Sequence, residues 1–315
     1  MSSLSGNGAS RDGYGDALLN LANNPNIVVL EADLGKSTKS CHFRNKFPER
    51  TFSIGIAEQN MMLVAAGLAS SGKIPMASTF AIFTERGFEQ IRNGIARPNL
   101  KVHICGSHGG IHTGSDGSSA QSVEDLAIYR TLPNMTVIHP ADDISAEELT
   151  MQLVDLEGPS YMRTIRNKVP RSYTNNTKQD LIIGKGNVLM EGEDVVIICC
   201  GVMVSKSIDA SILLKNEGIN AAVIDMHTLK PLDEELIDTW SKRCGCIVTA
   251  EDHSIIGGLG SAVAEHNSRT NLVPVEMIGV KDIFGQSGDS EELFEEMSMA
   301  IKDIVQAAKK SIGRK

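Results

Sequence analysis

Aromatic residues are scarce in this chain of 315 residues, which has one Trp, four Tyr and eight Phe, so two Phe close together stand out. Long hydrophobic runs are absent. With no stretch of eighteen or so apolar residues, a helix spanning a bilayer is excluded. Cys41, Cys105, Cys199, Cys200, Cys244 and Cys246 form no CxxC pair and fall mostly within apolar, strand-like runs. Buried, reduced thiols in a cytoplasmic protein are expected, and the Asn-x-Thr triplets at Asn134 and Asn175 then carry no glycan. Basic excess is also missing: 30 Lys and Arg against 39 Asp and Glu give a formal charge of −9. That argues against a nucleic-acid surface, so any anion site must be local. Residues 1–10 are rich in Ser and Gly, lack the basic-then-apolar order of a signal peptide, and read as a flexible tail.

What is present is an alternation. Short β-branched runs at 27–30, 74–79 and 102–105 alternate with helical periodicity, the pattern of βαβ units and a parallel sheet. Met61, Val64, Ala65 and Leu68 give the helix after Glu58 one buried face. Ser122 with Asp125, and Ser145 with Glu148, resemble capping boxes at helix starts. A polar stretch from Arg171 interrupts the alternation and reads as a linker over 171–182. Runs at 195–200, 221–225, 246–250 and 273–278 then read as buried strands of a second α/β unit, closed by one long amphipathic helix from about Ser290. The chain is long enough for two domains, expected at 11–170 and 183–315.

Three segments carry chemistry. Phe52 to Asn60 places Glu58 directly after an apolar strand and at the start of a helix; alone, an exposed acid complementing a helix N-terminus is the simpler account. Ser78 to Phe88 holds Phe80 and Phe83, whose spacing by itself suits core packing as well as a ligand. Gly106 to Gln121 is a glycine-dense loop presenting His108, His112 and Asp116. Glycine lets backbone approach a ligand closely, which marks this loop as the place for a substrate.

Taken in order, Gly-Ile-Ala-Glu-Gln at 55–59, Asp116-Gly117 followed by Gln121, Leu132-Pro-Asn134 and Glu251-Asp-His-Ser-Ile-Ile-Gly-Gly-Leu-Gly-Ser-Ala-Val-Ala264 resemble the transketolases and deoxyxylulose-phosphate synthases from about residue 10 to the end. The resemblance implies two domains, a pyrimidine-binding domain and a transketolase C-terminal domain, each a mostly parallel sheet flanked by helices. It implies thiamine diphosphate as cofactor, with Glu58 hydrogen-bonded to the pyrimidine ring nitrogen so that the cofactor's own amino group can act as base. An apolar site would keep that carboxyl protonated or sharing its proton. Phe83 would stack on the pyrimidine with Phe80 beside it, and Asp33 would lie close to the thiazolium. Arg11, Ser37 and Arg166 match positions that hold a substrate phosphate. His108 matches a phosphate-contacting histidine counted among the catalytic residues, and Asp116 a carboxylate that accepts a sugar hydroxyl. His112, His139 and His253 receive no role.

Two departures bear on function. The position before Gln121, usually His in such families, is Ala120. The Gly-Asp-Gly motif followed by Asn that holds diphosphate and its divalent metal is absent, and Ser287-Gly-Asp-Ser290 lacks the second Gly. The expectation is therefore the C-terminal subunit of a split transketolase with no metal ligands of its own. An N-terminal partner would hold Mg or Ca and the diphosphate in an α2β2 assembly that moves a two-carbon ketol unit between sugar phosphates. A split deoxyxylulose-phosphate synthase, favoured locally by Gly-Ile-Ala-Glu-Gln, and the beta subunit of a 2-oxo acid dehydrogenase are the enzymatic alternatives; a degenerate regulatory paralogue is the non-enzymatic one. Arg11, Ser37, His108 and Arg166 favour sugar chemistry over the dehydrogenase, and Glu58 with Phe83 speaks against the regulator.

Overall fold

The computed structural model describes residues 6–315; residues 1–5 of the expected tail lie outside it. The remainder of that tail is ordered into the fold. β1 (Asn7–Gly8) pairs antiparallel with β8 (Val169–Pro170), and Ser10 opens the helix Ser10–Asn20. The Ser10 hydroxyl accepts from the Ile165 N–H at 2.7 Å, which ties the chain start to the end of a central strand.

β2 (Ile27–Glu31), β3 (Thr51–Ser53), β4 (Ile74–Phe80), β5 (His103–Ser107), β6 (Thr136–Ile138) and β7 (Ser160–Thr164) form a parallel sheet in the order β6-β7-β5-β4-β2-β3. Ile27 to Leu30 are all buried, as strands covered on both faces by helices require. Each parallel pair needs a crossover, and the helix Glu58–Ser70 supplies the one between β3 and β4. Met61, Met62, Ala65 and Ala66 bury its core face, with Val64 and Leu68 packed beside them. It ends at Gly72, whose φ of 84° lets the Lys73 N–H reach back to the Leu68 carbonyl at 3.0 Å.

The second sheet holds β9 (Asn187–Met190), β10 (Val195–Cys199), β11 (Ala221–Asp225), β13 (Ile247–Ser254) and β14 (Val275–Val280) in the order β14-β13-β10-β11-β9, parallel except for β9. β12 (Thr228–Lys230) leaves this unit and pairs antiparallel with β6, completing a seven-stranded first sheet. The two units thus share a sheet edge. The expected linker is docked too: Ser172 and Tyr173 donate backbone N–H groups to Asp142, and the Tyr173 hydroxyl donates to Asp225 at 2.7 Å.

Several local expectations need correction. The single C-terminal helix is two, Ser290–Glu296 and Ile301–Ile312. Ser298 at a φ of 57° breaks it, and Asp303 accepts the Ala300 N–H at 3.0 Å to start the second. The capping box sits one turn earlier than Ser145: Asp142 caps the helix Asp143–Gln152, and Ser145 returns the bond. Ser122 does accept from the Asp125 N–H, but the Asp125 carboxylate turns instead to Arg163.

Candidate active site

Most candidate residues follow the carboxyl ends of the parallel strands, the usual side for ligands in such sheets. Asp33 and Ser37 follow β2, Glu58 follows β3, Phe80 closes β4, His108 follows β5 and Arg166 follows β7. Ser10, bonded to Ile165, brings Arg11 beside Arg166.

Glu58 is 3% exposed at the first position of its helix, where its charge favours the N-terminal end. Its surroundings are not purely apolar, contrary to expectation. Arg86 Nη1 stands 3.5 Å from Glu58 Oε2, and the same guanidinium lies over the Phe83 ring at 4.5 Å from its centroid. Phe83 stacks on Phe80 at 5.6 Å, and Phe80 on the His108 ring at 3.9 Å. One ladder of flat groups therefore runs from Glu58 to His108. Arg86 was not among the sequence candidates, although its place three residues after Phe83 puts the two on one helical face.

His108 occupies the left-handed region at a φ of 63° and is 2% exposed. Burial first, then the charges of Arg11 and Arg166, hold its pKa down at about 3, so its ring is neutral near pH 7. Its Nδ1 shares a hydrogen bond with the Ser107 hydroxyl at 2.8 Å. Arg11 Nη1 donates to the Ser37 carbonyl at 3.0 Å, and its buried Nε has no protein partner among the described residues. Arg166 pairs with Asp116 at 2.6 Å. Arg11 with Ser37 and Arg166 with Asp116 thus form two separate bonded pairs, whose guanidiniums both act on the His108 ring. Asp33 is exposed at a φ of 61° and makes no side-chain bond to either pair.

The glycine-dense loop departs from the expected open ligand cradle. Ile111 to Gly114 are buried, and several glycines admit protein rather than ligand: a Cβ on Gly106 would meet the Tyr161 hydroxyl at 2.2 Å, and one on Gly109 the Arg163 Nε at 2.4 Å. Arg163 is fully buried and forks onto Asp125, also fully buried, with Tyr161 donating to the same carboxylate. Of the residues without an assigned role, His253 accepts the Ala127 N–H at 3.2 Å, His112 packs against Phe294, and His139 is buried near Cys200. Ala120 is half-buried and closes the turn at 118–120, its N–H donating to the Gly117 carbonyl at 3.0 Å.

Among the described residues, no group of three or more His, Cys, Asp or Glu is placed to hold a metal, and no helix is long and apolar enough to cross a membrane. Comparison with known proteins matches the transketolase pyrimidine-binding domain to residues 8–172 and the transketolase C-terminal domain to residues 184–304. A Methanocaldococcus jannaschii protein described as a transketolase C-terminal section is 45% identical, covering 90% of this chain and 90% of that one. A 6-deoxy-6-sulfo-D-fructose transketolase subunit from a Clostridium species is 38% identical, covering 97% of this chain and 95% of its own length. A solved structure described as a split-gene transketolase in an inactive beta4 tetramer superposes with a TM-score of 0.91 at 47% identity, covering 98% of this chain and 99% of its own. Against full-length relatives such as human transketolase, the chain spans only 48% of the length. The chain belongs to the transketolase family, of which it comprises the pyrimidine-binding and C-terminal domains.

Proposed function

We propose that this chain is the C-terminal subunit of a split, thiamine-diphosphate-dependent transketolase, working with an N-terminal chain that supplies the diphosphate and Mg or Ca site. The observation carrying this reading is the Arg86 guanidinium held between the Phe83 face and the buried Glu58 carboxylate. A flat group bearing N–H donors fits that slot, and Arg86 stands where an aminopyrimidine would lie. Its side chain is 54% exposed, free to yield the place.

When bound, thiamine diphosphate supplies the nucleophilic carbon that ketol transfer needs. Glu58 would hydrogen-bond the ring nitrogen from its helix start, and Phe83 would stack on the ring, with Phe80 transmitting the contact to His108. Asp33, after β2, would face the thiazolium side. At the mouth, Arg11, Ser37 and Arg166 would hold the substrate phosphate, for which a guanidinium fork is suited. Neutral His108 would donate or accept a hydrogen bond there without adding charge. Asp116, released from Arg166 as phosphate takes its place, would accept a sugar hydroxyl. An α2β2 assembly in the cytoplasm completes the reading.

Mixing the purified chain with an N-terminal transketolase subunit that carries the diphosphate site tests this. Ketol transfer from xylulose 5-phosphate to ribose 5-phosphate should require both chains, thiamine diphosphate and a divalent ion. Turnover by this chain alone, or none by the pair, would refute the proposal.

A further inference from the structure

The substrate loop is held in shape by the C-terminal domain. Ile111 donates its N–H to Asp252 Oδ1 at 2.9 Å, and His112 donates to Oδ2 at 3.0 Å, so one carboxylate from β13 takes two consecutive loop amides. Asp252 is fully buried. The loop conforms to it: Gly110 lies at a φ of 79°, and a Cβ there would stand 2.2 Å from Asp252 Oδ2. Further fasteners come from the same domain. Ser290 donates to the His112 carbonyl at 2.9 Å, Ser287 to the Ser115 carbonyl at 2.7 Å, and Gln121 reaches the Gln286 carbonyl at 2.9 Å. His108 stands three residues before the first of these clamps and Asp116 directly after the Ser115 clamp.

We infer that Asp252 is a positioning residue: its carboxylate, reaching across from the C-terminal domain, fixes the turn at 111–114 and thereby sets His108 and Asp116 for substrate. It touches neither substrate nor cofactor. A carboxylate suits the task because two backbone donors side by side need two acceptors, and charge-assisted bonds of this kind are the stronger class. This assignment rests on the proposed sugar-phosphate reaction for its catalytic consequence, and on geometry alone for the clamp.

Asp252→Asn keeps the shape but turns an N–H₂ toward one of the two amides. Hydrogen exchange on the full chain should accelerate about tenfold at Ile111 to Gly114, with Ile104 in β5 and Val248 in β13 unchanged. In the reconstituted enzyme, KM for xylulose 5-phosphate should rise about tenfold, while kcat and the thiamine diphosphate Kd stay within about twofold. Ser290→Ala cuts the same loop from its other side without disturbing buried charge and should raise exchange about threefold to fivefold. Unaltered loop exchange in both variants, or an equal rise at Ile104 and Val248, would overturn the clamp. Faster loop exchange with an unchanged KM would overturn the positioning role. Should the unsubstituted pair show no ketol transfer at all, the proposed function falls while the exchange result still decides the clamp.

Discussion

Asp125→Asn probes the pair on which the junction of the two domains rests. Asp125 and Arg163 are both fully buried and meet through a two-point fork, while Arg163 also donates to the Asp252 and Ser122 carbonyls. Asparagine keeps the shape and one acceptor but removes the one carboxylate bonded to the guanidinium, leaving only the more distant charge of Asp252. Breaking a buried pair from one side costs about 3–5 kcal/mol. Burial alone would raise the Asp125 carboxyl, but Arg163 and the Tyr161 hydroxyl outweigh it and hold it below the ordinary carboxylate range, the direction a stabilising pair requires. At roughly 2 °C per kcal/mol for a chain of this size, the melting temperature should fall by roughly 6–10 °C. Trp240, the chain's one tryptophan and 4% exposed, reports unfolding by fluorescence. The sign with pH is also fixed. A carboxyl whose folded pKa is depressed contributes stability above its unfolded value and loses it as pH falls toward 2, so the variant should lack that part of the acid transition. A melting temperature lowered by less than about 1 °C at pH 7 would refute the argument.

Asp225 runs the opposite way. Burial pushes its carboxyl up to about 8 although Tyr173 donates to it, so the folded state holds a proton the unfolded chain releases, and stability should decline from pH 4 to pH 8. Asp225→Asn should flatten that slope and raise the melting temperature at pH 8, as differential scanning calorimetry would show; an unchanged slope contradicts the assignment. Arg166→Ala in the reconstituted enzyme should raise KM for phosphorylated sugars by about tenfold or more and leave kcat nearly intact, because it removes binding shared by ground and transition states. A fall in kcat at constant KM would show that Arg166 does not hold phosphate.

Particular residues show what the sequence disclosed. Ile27 to Leu30 and Ala221 to Ile224 are unbroken apolar runs, and both lie in buried central strands. Glu58, Phe80, His108 and Arg166 each stand at a strand end, and parallel topology brings strand ends together without further information. What stayed hidden depends on contacts distant in sequence. Thr228 to Lys230 is too short to carry periodicity, so nothing announced that it would complete the other domain's sheet. Glycines at 106, 109 and 110 suggested ligand approach, yet the space each leaves is taken by Tyr161, Arg163 and Asp252. Arg163 itself was passed over: a charge inside a wholly buried strand must find a buried partner. Ser298 gave no warning of the break it makes, since its left-handed backbone serves to bury Met297 and Met299 on either side.

The central claim is that Glu58 activates a cofactor lying on Phe83. Glu58→Gln, reconstituted with the N-terminal chain and saturated with thiamine diphosphate, measures it directly through the rate of ketol transfer from xylulose 5-phosphate. The amide keeps the size of the side chain but cannot share a proton with the ring nitrogen, so kcat should fall by about a hundredfold to ten-thousandfold with the melting temperature unchanged. Turnover within about threefold of the unsubstituted enzyme would contradict the account.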